Sequence, residues 1–241
     1  MNKIMTSVLA LGLSAGTAFA AAHDVVRLGT EGAYAPYNFI NDAGEIDGFE
    51  RELGDELCQR AELTCEWVTN DWDSIIPNLI SGNYDAIIAG MSVTDERKEK
   101  IDFTAEYTLP SPSSFAAASA DVDVTAGAVA AQVNTIQASY LVENGIQLLE
   151  FATPEETIAA VRNGEADAVL SDKDFLEAIV AEDAELSFAG DDVYIGGGIG
   201  MGVRKSDTEL RDKFSAAIES MKADGSLNAL ITKWLPGSGT F

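Results

Sequence analysis

Histidine is nearly missing from this chain: its 241 residues include one, His23, close to the N-terminus. With only two cysteines beside it, no Cys/His cage for zinc can be assembled, and a Ser-His-Asp nucleophile system lacks its imidazole. Neither a metal nor a cofactor is expected. Basic residues are also scarce. Fifteen Lys+Arg against 40 Asp+Glu leave a formal net charge of −25, which repels phosphate and supplies no basic stripe for nucleic acid. The cluster Gly196-Gly197-Gly198 fits neither G-x-G-x-x-G nor G-x-x-x-x-G-K-[ST], which disfavours a phosphate cradle. After Ala22 there is no uninterrupted apolar run of membrane length. What the chain does have is ample apolar content: 46% hydrophobic against 23% charged residues suffices for an ordered core.

The first residues read as an export signal. Lys3 supplies the positive start, residues 5–22 are uncharged and apolar but broken by Gly12, Ser14, Gly16 and Thr17, and Ala18-Phe19-Ala20 fits the small-x-small cleavage pattern. A stable membrane span wants about 20 strongly apolar residues, so cleavage after Ala20 and a mature, periplasmic protein are expected. That compartment bears on Cys58 and Cys65, seven positions apart. Closing so small a loop would contribute about 2.5 kcal/mol by loop entropy; the alternative is two buried thiols.

Hydrophobic spacing predicts β-α-β-α-β over the first half: a strand at 25–28, a helix at 49–61 through Phe49, Leu53 and Leu57, a strand at 64–69, a helix at 73–81 and a strand at 84–89. That order implies an α/β fold with a mostly parallel sheet, flanked by helices, whose ligands sit at the carboxyl ends of strands. Beyond Ser113 the pattern restarts, with strands near 115–118, 128–131, 148–151 and 166–170. Thr153-Pro154-Glu155-Glu156 reads as N-cap, first-turn proline and capping-box carboxylate of a helix. Two further helices are expected at 207–222 and 226–234. Residues 81–90 and 163–172 echo one another through a helix-ending glycine, an Asp-Ala pair and an apolar strand. With Leu109-Pro110-Ser111-Pro112-Ser113 as a stiff connector and Gly196-Gly197-Gly198 where the chain could return, two lobes on a two-segment hinge follow. The division expected is 24–110 plus 199–241 for a large lobe and 111–198 for a small one.

Chemistry-bearing residues fall at strand tips. Thr94 is placed to cap a helix starting at Asp95, which leaves Arg97 in its first turn, where a cation opposes the helix dipole. Either a ligand carboxylate compensates, with help from Ser92, or Arg97 pairs with Asp95 or Glu96. Asp172 ends the corresponding strand of the second half; it is either a helix cap or an acceptor for an ammonium. Glu31 and Tyr34 follow the first strand, and Trp72 follows the second, so an acid and two aromatic rings meet where a cleft would open. For each ring alone, core packing is the competing reading.

Taken together, several motifs resemble the polar amino-acid group of extracytoplasmic solute-binding proteins that serve ABC importers, the two-lobed type II periplasmic binding protein fold. They are Gly29-Thr30-Glu31-Gly32-Ala33-Tyr34-Ala35-Pro36-Tyr37-Asn38-Phe39, Trp72-Asp73-Ser74-Ile75-Ile76-Pro77, Tyr84-Asp85-Ala86-Ile87, Met91-Ser92-Val93-Thr94 with Arg97, and Met201-Gly202-Val203-Arg204-Lys205. The Cys58/Cys65 spacing is similar to the disulfide of the lysine/arginine/ornithine and histidine binders. The resemblance implies that Arg97 grips the ligand α-carboxylate with Ser92 and Thr135, and that Asp172 and the backbone near Gly90 take the α-ammonium. It also implies that Tyr34 and Trp72 flank the side chain and that Glu31 binds a distal cation. A monomer delivering arginine, lysine or ornithine to a membrane permease is therefore expected. Two departures stand out: Ala89-Gly90 replaces the paired serines of histidine and lysine readers, and Gln132-Val133-Asn134-Thr135 lacks the usual Gly-Thr step. The combination of Glu31, Trp72 and Ala89-Gly90-Met91-Ser92 is closer to the branch taking octopine- or nopaline-like opines, which is the alternative ligand class. A cyclohexadienyl-dehydratase-like enzyme, with Glu31 or Asp172 as acid or base, and a receptor-coupled sensor are the rivals from other classes.

Overall fold

The computed structural model describes residues 25–241; the expected export signal and His23 lie outside the described residues. In chain order the first part contains β1 (Val26–Thr30), the short strands β2 (Ala33–Tyr34), β3 (Asn38–Ile40) and β4 (Ile46–Asp47), helix α1 (Phe49–Arg60), β5 (Cys65–Thr69), α2 (Ile75–Ile80), β6 (Ala86–Ile87), α3 (Asp95–Lys100) and β7 (Asp102–Glu106). The next part contains β8 (Ser113–Ala117), β9 (Ala128–Gln132), α4 (Ile136–Glu143), β10 (Gln147–Phe151), α5 (Pro154–Arg162), β11 (Ala168–Asp172), α6 (Lys173–Glu182) and β12 (Ser187–Val193). The chain then closes with β13 (Gly200–Val203), α7 (Thr208–Asp224) and α8 (Ser226–Trp234).

These strands form two five-stranded sheets of the same plan, ordered β5-β1-β6-β13-β7 and β10-β9-β11-β8-β12. In each, the first three strands run parallel and the fourth is antiparallel to both neighbours, so four of five share one direction. The odd strand is in each case the one entered directly after the chain crosses between sheets. The fold is thus the two-lobed type II arrangement, with mostly parallel sheets as the alternation predicts.

The internal echo has a physical basis. Asp85 accepts a hydrogen bond from the Arg27 N–H at 3.0 Å at the start of β1, and Asp167 accepts one from the Ala128 N–H at 2.8 Å at the start of β9. Gly82 and Gly164, at φ +81° and +71°, end the helices that lead into these turns. Register carries the equivalence further. Leu28 pairs with Ala86 as Val129 pairs with Ala168, so counting along the strands places Glu31 opposite Gln132 and Gly90 opposite Asp172 in the pseudo-repeat.

The helices bury the faces their spacing predicts: Phe49, Leu53 and Leu57 of α1 are fully buried, as are Phe214, Ile218 and Met221 of α7. Helix α5 carries the full capping box, Thr153 accepting from Glu156 N–H while the Glu156 carboxylate accepts from Thr153 N–H. Cys58 and Cys65 are joined in a disulfide that ties the last turn of α1 to the amino end of β5. Three expectations are adjusted. The strand expected at 84–89 is only Ala86–Ile87, because Gly90 turns away at φ +61° to give its N–H to Glu50. The helix expected at 73–81 starts as a 3-10 turn at Trp72–Ser74 before α2. The segment after β1 is a small three-stranded sheet rather than an open loop; Asn38, fully buried, organises it by accepting from Gly32 N–H at 2.7 Å and donating to Glu50 at 2.6 Å.

Candidate ligand site between the two sheets

A cavity lies where the carboxyl ends of the two sets of parallel strands face one another. All eight residues singled out from the sequence line it: Glu31, Tyr34, Trp72, Gly90, Ser92, Arg97, Thr135 and Asp172. The cleft is closed by cross-sheet hydrogen bonds from Tyr34 Oη to Asp172 at 2.8 Å, Tyr37 Oη to Asp174 at 3.0 Å and Gln132 Nε2 to Glu31 at 2.6 Å.

Arg97 sits in the first turn of α3, whose N-cap Thr94 accepts from the Arg97 N–H at 3.1 Å. Its guanidinium is buried, donates from Nη1 to the Ser92 carbonyl at 2.8 Å, and lies 5.3 Å above the Trp72 ring. Asp95 and Glu96 pair instead with Lys98 and Lys100. Among the described residues no carboxylate comes within ion-pair distance of Arg97, so the local-pairing alternative is not realised. Burial pulls the guanidinium down to about 10, partly opposed by the fields of Asp172 and Glu96, and it remains a cation at neutral pH. A guanidinium carries five N–H donors, which leaves several without a partner here.

Asp172 occupies the N-cap position of α6 but makes no side-chain cap bond. Its carboxylate turns into the cleft and accepts from Tyr34 Oη and, at 2.7 Å, from Gln137 Nε2. Burial raises its pKa, with Asp174 adding to the shift and Tyr34, Arg97 and Gln137 opposing it. Of the two readings for this residue, simple helix capping is therefore set aside. Among the described residues Glu31 accepts only from Gln132, and loss of hydration, opposed by that hydrogen bond and reinforced by nearby Asp71, moves it up to about 7. Tyr34 serves both competing readings: it lines the cavity while its ring stacks on Phe175 with centroids 4.4 Å apart. Trp72 lines the cavity too, is buried, and its Nε1 has no hydrogen-bond partner.

One placement differs from the expected role. The Thr135 hydroxyl donates to the Gln132 carbonyl at 2.7 Å and accepts from Ala138 N–H at 3.1 Å; as N-cap of α4 it is committed locally, so what this segment offers a carboxylate is first-turn N–H groups. The Gly90 N–H donates to Glu50 at 2.7 Å, which leaves the acceptor role expected of this backbone to its carbonyls.

Residues 26–237 match the family model of the bacterial extracellular solute-binding proteins, family 3. The chain belongs to this family. It is 31% identical to the lysine/arginine/ornithine-binding periplasmic protein of Escherichia coli, covering 97% of this chain and 96% of that protein. It is 29% identical to the octopine-binding periplasmic protein of Rhizobium meliloti over 93% and 94%. Among solved structures, a periplasmic His/Glu/Gln/Arg/opine family-binding protein from Silicibacter pomeroyi, in complex with lysine, superposes with a TM-score of 0.89 at 68% identity, covering 90% of this chain and all of that one. These family-3 relatives are named as binding proteins, not enzymes.

Within this family-3 chain the cleft also contains Gln132, Gln137 and Ser171, which sequence reasoning did not select. Gln132 was visible as the second-half counterpart of Glu31 once register is known. Gln137, which bridges Ser113 at 2.9 Å and Asp172, carries no local signal because a glutamine inside a helix looks solvated. Among the described residues no group of His, Cys, Asp and Glu is placed to hold a metal ion, and no helix is long and apolar enough to cross a membrane.

Proposed function

We propose that this protein captures a basic amino acid in the periplasm by closing two lobes on it, and delivers it as a monomer to the permease of an ABC importer. The observation that carries the reading is the charge set of the cleft: one buried cation without a carboxylate partner, Arg97, and two half-buried carboxylates, Asp172 and Glu31, one from each sheet's side of the cavity. An α-amino acid with a cationic side chain is their complement. Its carboxylate would take the free donors of Arg97, its ammonium Asp172 and its distal cation Glu31, with Tyr34 and Trp72 against the aliphatic stem. The names of the relatives support the same class.

The two lobes that close on it would be 24–110 plus 199–241 and 111–198. The chain passes between the sheets twice, and the two crossings are tied where Tyr107 N–H donates to the Ile199 carbonyl at 2.7 Å. Arg97, Glu31 and Trp72 stay with the large lobe in an open form, and bending at the crossings brings up Asp172 and the first turn of α4. The ligand favours closure because it contacts both lobes only when closed; a micromolar complex corresponds to about −8 kcal/mol. One feature favours the opine alternative. A second cavity of about 980 Å³, mouth included, shares Trp72, Arg97, Thr135 and Ile136 with the first, which gives room for a substituent beyond the amino acid.

Calorimetric titration with arginine, lysine, ornithine, glutamine and octopine tests this, with prephenate turnover as the check on the catalytic rival. Micromolar binding of a basic amino acid is expected. Binding confined to octopine would replace it by the opine reading, and binding of neutral amino acids alone would refute both.

A further inference from the structure

The pseudo-repeat that builds the two sheets brings two equivalent positions face to face. Glu31 follows the last residue of β1 and Gln132 is the last residue of β9, the corresponding central strand, and their side chains meet across the cleft at 2.6 Å. The orientation of Gln132 is set from its own side. Its Nε2 also donates to the Ala152 carbonyl at 3.0 Å, and Ala152 N–H is itself held by the Glu156 carboxylate of α5 at 3.0 Å. Both amide hydrogens are thereby assigned, so the group presents a donor to Glu31. Gln132 is 7% exposed; it is a buried residue of the second sheet whose polar end is spent on an acid of the first.

The surroundings of Glu31 otherwise oppose its charge. Asp71 stands nearby as a like charge, and the remaining ionisable groups of the cavity are Tyr34, Arg97 and Asp172. Among the described residues no cation pairs with Glu31. Closing the cleft therefore takes this carboxylate partly out of water with one hydrogen bond to replace the hydration it loses.

We propose that Gln132 is a specificity-determining positioning residue: by holding the Glu31 carboxylate across the cleft it makes recognition of the ligand's distal cation part of lobe closure. This rests on the basic-amino-acid reading above. In the open form the two side chains are apart and Glu31 is a solvated surface acid with weak preference for any cation. On closure Gln132 fixes one carboxylate oxygen and leaves acceptor capacity for the ligand. A cationic side chain is then bound by an acid already positioned, whereas a neutral one leaves a half-buried carboxylate with a single donor. The amide bond also favours the ionised form of Glu31, against its burial and Asp71.

The test is a double-mutant cycle read by calorimetry with arginine and lysine, on unaltered protein, Gln132→Leu, Glu31→Gln and the double variant. Loss of a hydrogen bond to a charged group predicts roughly a ten- to hundredfold fall in affinity for Gln132→Leu, shrinking to less than about threefold when Glu31 is already Gln. The pH profile supplies a readout that a mere scaffold role would not move. Arginine affinity declines as falling pH protonates Glu31, and in Gln132→Leu this decline is shallower because the closed-form carboxylate has lost the donor that favoured its charge. A loss that persists undiminished in the Glu31→Gln background, or an acid decline of unchanged depth, overturns the proposal while leaving the function intact. Unaltered protein that binds neither arginine nor lysine overturns both.

Discussion

Glu50 and Glu31 are two acids of the same half of the chain, the first fully buried and the second half-buried, both pushed above the usual carboxylate range chiefly by loss of hydration. Their surroundings differ in completeness. Glu50 accepts from Gly90 N–H at 2.7 Å, from Asn38 at 2.6 Å and from the Tyr107 hydroxyl, so it ties the cleft floor to a hinge crossing. Glu31 has Gln132 alone. The cations divide in the same way. Arg204 is used up by Asp85, Asp207 and the carbonyls of Leu79 and Tyr84, while Arg97 reaches one carbonyl. A buried ionic group that the protein satisfies is structural, and one it leaves short is where a ligand fits, because a buried charge persists only if something completes its shell.

That contrast can be broken by substitution. Arg97→Ala is expected to have the largest effect: about 4 kcal/mol of arginine binding lost in calorimetry, since it strands the ligand carboxylate in a dry cleft, with no loss of thermal stability. Unchanged affinity would remove Arg97 from the site. Glu50→Leu should do the reverse. Stranding three donors costs about 3 kcal/mol or more in urea unfolding; a fully stable variant would show that the Glu50 network is dispensable. Replacing both Cys58 and Cys65 by Ser should lower stability by about 2.5 kcal/mol through the lost loop constraint. Ligand affinity should not change, because the disulfide sits at the amino end of β5, opposite the cleft. Glu31→Gln should cost about 2 kcal/mol of arginine binding and little for glutamine; equal losses would take Glu31 out of cation recognition.

The smallest effect is on pH dependence. A carboxyl raised in the folded state keeps a proton that the unfolded chain has already released, so its contribution to stability declines as pH rises from the unfolded value to the folded one. For Glu50, whose buried partners Gly90, Asn38 and Tyr107 do not depend on closure of the cleft, the shift is upward. The melting temperature of ligand-free protein should drop by about 2–4 °C for each kcal/mol so lost, and the drop should be shallower in Glu50→Gln. A melting temperature that rises across this window would contradict the assignment.

Much of this was legible before any coordinates. Period-two and period-3.6 patterns marked the strands and helices, since each element must bury one face, and the conflict between Arg97 and its helix dipole marked it as needing a partner, either a ligand or a neighbouring acid. Asp172 was ambiguous because a helix start looks the same whether its acid caps or turns inward; Gln137 and Tyr34, distant in sequence, decide the matter. The strands of the small sheet were missed because two or three residues are too few to show a period.

What the chain determines by itself is local: where elements begin and end, the Thr94 and Thr153 caps, and which strand tips carry charge. Those depend on neighbours within a turn or two. Which charges end up completed depended on tertiary structure, because only the meeting of two sheets built from separate stretches sets Gln132 against Glu31 and Tyr34 against Asp172, and leaves Arg97 without a carboxylate. Hydrogen-bond satisfaction is a property of distances across the fold, and no stretch of sequence carries it alone.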